Sequence, residues 1–93
     1  MFKINDYYDG NVKSIAFKTP DCPATIGVLA PGEYEFGTSM AEHITVISGK
    51  MNVLLPGELQ WKEFKQNDTF IVPKDKKFFL KIAADTAYVC LYR

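Results

Sequence analysis

The residues of this sequence best suited to chemistry are a glutamate and the only histidine, neighbours in the stretch EHITVISG, residues 42–49. Carboxylate and imidazole groups hold transition metals in proteins, normally as three or four ligands together. Successive side chains on a strand point to opposite faces of the sheet. If Glu42 faces the interior, His43 is therefore expected at the surface or at an interface.

The spacing of proline, glycine and glutamate around this stretch resembles the two sequence motifs of the cupin family. Pro31-Gly32 followed by Glu42-x6-Gly49 is similar to the first motif, and Asn67-x5-Pro73 to the second. The resemblance implies a cupin-type antiparallel β-barrel, an RmlC-like jelly roll, in which histidines and a glutamate normally bind a metal ion. The remaining ligand positions hold three residues unsuited to that role: Phe36, Thr38 and Phe78. We therefore expect no metal.

The elements that must position these residues read as short strands. Apolar runs rich in Val, Ile, Phe, Tyr and Thr are interrupted by turn residues every 8 to 12 positions or so, and no stretch has a sustained helical period. This pattern predicts an all-β sandwich or barrel with little or no helix. Ser48-Gly49-Lys50 is a candidate tight hairpin. The chain is expected to form one domain over residues 1–93.

Composition excludes several classes of function. Eleven basic and eleven acidic residues cancel, which predicts neither a nucleic-acid partner nor an anionic membrane. No apolar run is long enough to span a bilayer, and no secretory h-region is present. Cys22 and Cys90 lie far apart and form no CxxC pair, so two reduced thiols are expected. A cytoplasmic location follows as the expectation.

A closer resemblance covers the chain from the first strand to the last residue. The segments PGEYEFGT, EHITVISG, NVLLPG and FIVP, together with the ending YVCLY, resemble the pyrimidine/purine nucleoside phosphorylase family. The resemblance implies a homodimer that splits nucleosides with phosphate into free base and pentose 1-phosphate, with phosphate as co-substrate and no cofactor. A homodimer also suits a small barrel with an aromatic-rich outer strand around Trp61, which gains by covering an edge.

Strand alternation proposes which side chains line the interior. Glu42 and Thr38 are the candidate catalytic residues, with Glu42 holding sugar hydroxyls or countering positive charge as the glycosidic bond breaks. The candidate substrate-binding residues are aromatic or hydroxyl-bearing: Tyr34, Phe36, Ser48, Phe78, Tyr88 and Tyr92. Taken singly, each aromatic also suits core packing. A buried glutamate is costly, which makes Glu42 the least ordinary member of the set.

Two functions remain open on the sequence alone. The first is a metal-independent nucleoside phosphorylase, favoured by the near full-length match of motifs. The second is a non-catalytic cupin that binds a nucleoside, a sugar or another small molecule. The segment DCPAT, residues 21–25, favours the second, because it lacks an arginine that members of the resembled family carry there.

Overall fold

A computed structural model describes residues 1–93 and contains ten strands, joined by turns and one short 3-10 segment at Tyr8–Gly10. The predicted all-β class is confirmed. None of its helices is long and apolar enough to cross a membrane. The strands are β1 (Ile4–Tyr7), β2 (Val12–Lys18), β3 (Pro23–Leu29), β4 (Gly32–Gly37), β5 (Glu42–Ser48), β6 (Lys50–Leu54), β7 (Lys62–Lys65), β8 (Thr69–Val72), β9 (Lys77–Ile82) and β10 (Thr86–Tyr92).

The strands form two antiparallel sheets that face each other. The larger has six strands in the order β1-β2-β3-β10-β5-β8, and the smaller has four in the order β4-β9-β6-β7. Hydrogen bonds do not join the sheets into a closed barrel, so the molecule is a two-layered jelly roll. Strand β4 is consequently an edge of the small sheet, and its free edge is available to other parts of the chain.

Alternation along the strands divides buried from exposed side chains. In β3 the burial pattern alternates from Thr25 to Leu29, and in β9 it alternates from Lys77 to Ile82. Apolar residues at the inward positions of both sheets meet in one cluster of thirteen buried residues. The core therefore lies between the sheets, as expected where each layer has one apolar face.

The turn at Gly49 carries the chain from one sheet to the other. Gly49 has a φ of 91°, and a Cβ there would lie 2.6 Å from Oγ1 of Thr86 and 2.9 Å from the carbonyl of Asp85. Only glycine fits such a left-handed, crowded position. The predicted tight turn is confirmed, but the predicted hairpin pairing is wrong, because β5 and β6 hydrogen-bond within different sheets.

Candidate functional site

A cavity of about 490 Å³ lies between the two sheets and is the candidate site. This volume falls in the range of small-molecule pockets, roughly 300–1,000 Å³. Twelve of its sixteen lining residues are hydrophobic, and seven are aromatic: Tyr7, Tyr8, Phe36, Phe70, Phe78, Tyr88 and Tyr92. No lysine, arginine or histidine lines it. The cavity thus presents flat apolar surfaces, a few hydroxyls and two carboxylates.

Glu42 is the carboxylate that belongs to the cavity wall. It begins β5 opposite Tyr92 of β10 and Val72 of β8, so it lies on the inner face of the large sheet. The Cys90 thiol donates a hydrogen bond to Oε1 at 3.5 Å. Burial raises the pKa of Glu42 above 4.5, and the Cys90 hydrogen bond partly opposes this rise. The placement predicted for Glu42 agrees with this geometry.

Two tyrosines supply neutral hydroxyls to the same wall. Burial raises the pKa of Tyr88 to about 12, with smaller contributions from Cys90, Glu42 and Tyr7. Burial also raises the pKa of Tyr92, whose hydroxyl lies 3.2 Å from Oγ1 of Thr25. Both phenols therefore remain protonated at neutral pH. Each can donate and accept hydrogen bonds to a bound sugar or base.

Phe36 and Phe78 form the opposite wall of the cavity. They are directly paired between β4 and β9 on the inner face of the small sheet, with ring centroids 5.9 Å apart. Phe78 is buried and Phe36 is half-buried, so Phe36 presents more of its ring to a ligand. The structure thus brings five of the proposed residues together around one cavity: Phe36, Glu42, Phe78, Tyr88 and Tyr92.

Tyr34 is buried between the sheets, as its inward position predicts, but neither Tyr34 nor Thr38 lines the cavity. The Tyr34 hydroxyl donates to the carbonyl of Ala30 at 2.7 Å, so its polar end is turned toward the β3–β4 connection. Oγ1 of Thr38 donates to the Pro73 carbonyl at 2.6 Å and accepts from the Lys76 amide at 3.1 Å. The hydroxyl of Thr38 therefore ties two loops together, and Thr38 lines a polar groove beside the cavity instead of the cavity itself.

Strict alternation also predicts the wrong position for Ser48. Register between β10 and β5 shifts after Ala87, which pairs with Ser48, while Tyr88 pairs with Val46. Ile47 is the extra residue of this β-bulge, and both Ile47 and Ser48 are exposed. A bulge interrupts alternation, so the inward series that begins at Glu42 ends at Val46. Ser48 does not line the cavity.

Tyr7 and Tyr8 were missed by sequence reasoning and close one side of the cavity. Their rings pack against Phe36 with centroids 6.2 and 5.8 Å away. The Tyr8 hydroxyl donates to the Glu35 carbonyl at 2.6 Å and accepts from the Glu35 amide at 3.1 Å. The available signal was the stretch YYDG, two aromatics directly before a turn. This signal is weak, because the two tyrosines reach the cavity only through the pairing of β1 with β2.

The side chains present do not fit a metal. No group of three or more His, Cys, Asp or Glu residues is arranged to bind an ion. Glu42 has Cys90 as its polar neighbour, and His43 lies on the other face of β5, opposite Leu91 and Ile71. A single carboxylate with a protonated thiol falls short of the three or four ligands of a transition-metal site.

Facing antiparallel sheets around a ligand-sized aromatic cavity define a protein of the cupin fold. An RmlC-like cupin from Shewanella frigidimarina superposes with a TM-score of 0.77 at 18% identity, covering 98% of this chain and 82% of that one. This likeness confirms the fold predicted from the motif spacing. A protein of unknown function from Vibrio parahaemolyticus is more similar, with a TM-score of 0.96, 36% identity and coverage of 100% and 99%.

The family model described as pyrimidine/purine nucleoside phosphorylase matches residues 2–92. A protein of that name from Pseudomonas entomophila is 57% identical over 93 residues, covering 100% of this chain and 99% of the relative. Another of that name from Alcanivorax borkumensis is 56% identical over 92 residues, covering 99% and 98%. The chain belongs to the pyrimidine/purine nucleoside phosphorylase family.

Proposed function

We propose that the protein is a nucleoside phosphorylase that accepts purine and pyrimidine nucleosides and uses no metal ion. The glycosidic bond between the anomeric carbon and the base nitrogen breaks, and its electron pair leaves with the base, which takes up the proton that hydrogen phosphate gives up. A phosphate oxygen forms the new bond to the anomeric carbon. The products are the free base and α-D-ribose 1-phosphate from a ribonucleoside.

This proposal rests on one observation: the chain belongs to the family, and its cavity has aromatic walls and one half-buried carboxylate. Aromatic faces stack on any base, since every base has a π-face, and few base-specific hydrogen bonds are needed. Glu42 accepts hydrogen bonds from sugar hydroxyls and opposes the positive charge that develops on the sugar. Its ionised form is required for the second role, which the raised pKa makes sensitive to acid.

Phosphate needs positive charge that the cavity lining lacks. A polar groove formed by residues 37–39 and 75–77 adjoins the cavity, and the two share Gly37. Lys76 and Lys77 line this groove, and Nζ of Lys77 lies 3.5 Å from Oε2 of Glu35 at the cavity edge. We place phosphate in this groove, where lysines act as point charges on a dianion.

A non-catalytic cupin that binds nucleosides is the second candidate. The absence of any cationic side chain from the cavity lining favours it, because phosphorolysis needs phosphate beside the anomeric carbon. Pure protein incubated with uridine or guanosine, with and without phosphate, separates the two. Base release that depends on phosphate supports the enzyme, whereas saturable binding without release supports the binding protein.

Glu42→Gln tests the catalytic role of the carboxylate, since it keeps the shape and removes the charge. We expect kcat to fall by about 10²-fold or more, the effect of losing one well-placed electrostatic group. His43→Gln is the matched control on the next residue of β5, and it should leave kcat nearly unchanged because His43 lies on the opposite face. Full activity in Glu42→Gln would remove this role.

We also propose that the protein is a homodimer and resides in the cytoplasm. Support for the dimer comes from the outer face of the large sheet, where Ile15, Ile26 and Ile71 are between 45% and 56% exposed. Directly paired residues share a face, and Ile15 pairs with Ile26, as Ile71 pairs with His43. Both cysteines are free thiols, which agrees with a reducing compartment.

A further inference from the structure

The ring of Tyr88 covers the backbone of Gly27 on the neighbouring strand. The two residues are directly opposed in the pairing of β10 with β3. A Cβ added at Gly27 would lie 2.6 Å from Cζ and from the hydroxyl oxygen of Tyr88, and 2.7 Å from Cε1. Real Cβ contacts below 3.0 Å are essentially never found. Any side chain at position 27 would therefore displace the Tyr88 ring.

The displaced ring can move only toward the cavity. Ser14, Gly27 and Tyr88 form one row across β2, β3 and β10 on the inner face of the large sheet. The backbone of the sheet lies beneath this row. Ser14 is buried beyond Gly27 and accepts a hydrogen bond from Nδ2 of Asn5 at 3.3 Å. The open side of the ring is the cavity that Tyr88 lines.

The Tyr88 end of the cavity lies away from the candidate catalytic carboxylate. Glu42 pairs with Tyr92, which is four residues along β10 from Tyr88, a distance of about 13 Å along an extended strand. The Glu42 carboxylate and the Tyr88 ring therefore lie at different points along one wall, with Cys90, which hydrogen-bonds to the carboxylate, between them. A sugar held by Glu42 therefore directs its base toward Tyr88, and a lifted Tyr88 ring would shorten the space for that base.

We propose that Gly27 determines base-size specificity by allowing Tyr88 to lie flat on the large sheet. The flat ring keeps the cavity deep enough for the two-ring base of a purine nucleoside as well as the one-ring base of a pyrimidine nucleoside. This inference rests on the proposed function, because it places a nucleoside in the cavity. Gly27 acts through Tyr88 and is a positioning residue, with no side chain of its own to touch the substrate.

Gly27→Ala is the test, with kcat/KM measured for guanosine and for uridine. The lifted ring should lower kcat/KM for guanosine at least about tenfold more than for uridine, a discrimination typical of a lost or added methylene in a pocket. A purely structural role for Gly27 would lower both values by the same factor. An equal fall, or no change in either value, overturns the inference.

Tyr88→Leu provides the background that isolates the mechanism. Leucine has no atoms at the positions of Cζ, Cε1 and the hydroxyl, so it leaves room for a Cβ at Gly27. In this background Gly27→Ala should leave the guanosine-to-uridine ratio unchanged. If Gly27→Ala still lowers the guanosine-to-uridine ratio in the Tyr88→Leu background, Gly27 does not act through Tyr88, and the inference is overturned. If Gly27→Ala alone does not fold, the double variant must fold, and its failure to fold also overturns the inference.

The same variants distinguish this inference from the proposed function. If the parent releases no base from either nucleoside in phosphate, the phosphorylase proposal fails. Dissociation constants of guanosine and uridine, measured by calorimetry on the same proteins, then carry the ratio test. The Gly27→Ala change should weaken the binding of guanosine by a factor at least about ten times larger than the factor for uridine. A parent that binds neither nucleoside overturns both proposals.

Discussion

The surroundings of Glu42 disfavour its charged form. A neutral residue at this half-buried position would avoid that cost. Burial raises its pKa, and its hydrogen-bonding partner is a weak thiol donor at 3.5 Å. The Cys90 thiol supplies no compensating charge, because a thiol is either neutral or negative, and burial together with the negative charge of Glu42 raises the Cys90 pKa and keeps the thiol neutral. A carboxylate kept under such conditions costs stability, which is typical of a residue retained for function.

This cost makes a prediction about pH and stability. The folded protein holds the Glu42 proton more tightly than the unfolded chain, so the free energy of unfolding falls as pH rises through the interval from 4.5 to the higher folded-state pKa. Above that interval, Glu42→Gln should have a higher Tm than the parent. Below pH 4.5 the difference should shrink, because the carboxyl is then protonated in both states.

Thermal unfolding of both proteins from pH 3.5 to pH 8 checks this sign. The proteins should differ most at the alkaline end of the range. A variant that is less stable than the parent at pH 7.5, or a Tm difference that does not change with pH, would contradict the assignment of a raised pKa. Activity should change in the opposite direction to stability: Glu42→Gln should have a lower kcat than the parent, since the variant loses the charge that catalysis requires.

The sequence was informative about the residues that occupy regular strand positions. Glu42, Phe36 and Phe78 were placed correctly because motif spacing and alternation both bear on them. Thr38 lies outside the cavity lining because it follows the last residue of β4, where alternation no longer determines direction. Its hydroxyl instead satisfies the Pro73 carbonyl and the Lys76 amide, two loop groups that no local pattern connects to it.

The 3-10 segment Tyr8–Gly10 connects the two sheets at one side of the cavity. Its backbone is left-handed at Tyr8, Asp9 and Gly10, with φ values of 54°, 56° and 89°. Such values are unfavourable for residues other than glycine, by about 1–2 kcal/mol each. Tyr8 bonds to both backbone groups of Glu35 on the free edge of β4, and these bonds hold the strained segment in place.

Tyr8→Phe should loosen this connection while keeping the aromatic ring. Two hydrogen bonds are lost, so the free energy of unfolding should fall by about 1–2 kcal/mol. The KM for nucleosides should rise more than kcat falls, because Tyr8 lines the cavity where it contacts Glu35 and Phe36 of β4, whereas Glu42 lies on β5 of the large sheet. Tyr7→Phe, at a neighbouring cavity tyrosine, is the matched control for stability. Equal stability of Tyr8→Phe and the parent would contradict the role of the hydroxyl.

The loop before β9 provides the test of the phosphate site. The double variant Lys76→Gln/Lys77→Gln removes both positive charges of the polar groove. We expect the KM for phosphate to rise about tenfold or more, the effect of losing roughly 1.4 kcal/mol of binding, with the KM for uridine unchanged. Lys74→Gln, in the same loop but outside the groove, is the control. An unchanged KM for phosphate in the double variant would place phosphate elsewhere.

Irregular elements explain why part of the site was not predictable. The bulge at Ile47 moves Ser48 out of the inward series, and it is visible only in the pairing of β10 with β5. Tyr7 and Tyr8 reach the cavity because β1 folds back on β2, and the stretch YYDG indicates a turn there but not the contact with the cavity. The strands themselves were predictable because turn residues and apolar runs mark them locally.

At the scale of the whole molecule, the outer face of the large sheet is apolar although it is exposed to solvent. The outer face of the large sheet carries a row formed by Ile15, Ile26, Val89 and Thr45, which are paired in that order across four strands. A second row includes Leu91, His43 and Ile71. An apolar surface that spans neighbouring strands indicates an interface. His43 lies on this outer face, as its position after Glu42 predicts.

In the proposed homodimer we expect a second copy of the chain to cover this face, because symmetric self-association covers the same patch on both subunits. Light scattering at micromolar concentration should give about twice the 10.5 kDa chain mass. Ile26→Lys places a charge at the centre of the face and should give the monomer mass with far-UV circular dichroism unchanged. Leu59→Lys is the matched control, since Leu59 is 96% exposed in the connection between β6 and β7, two strands of the small sheet. A parent of monomer mass, or an Ile26→Lys protein that remains dimeric, would exclude this face as the interface.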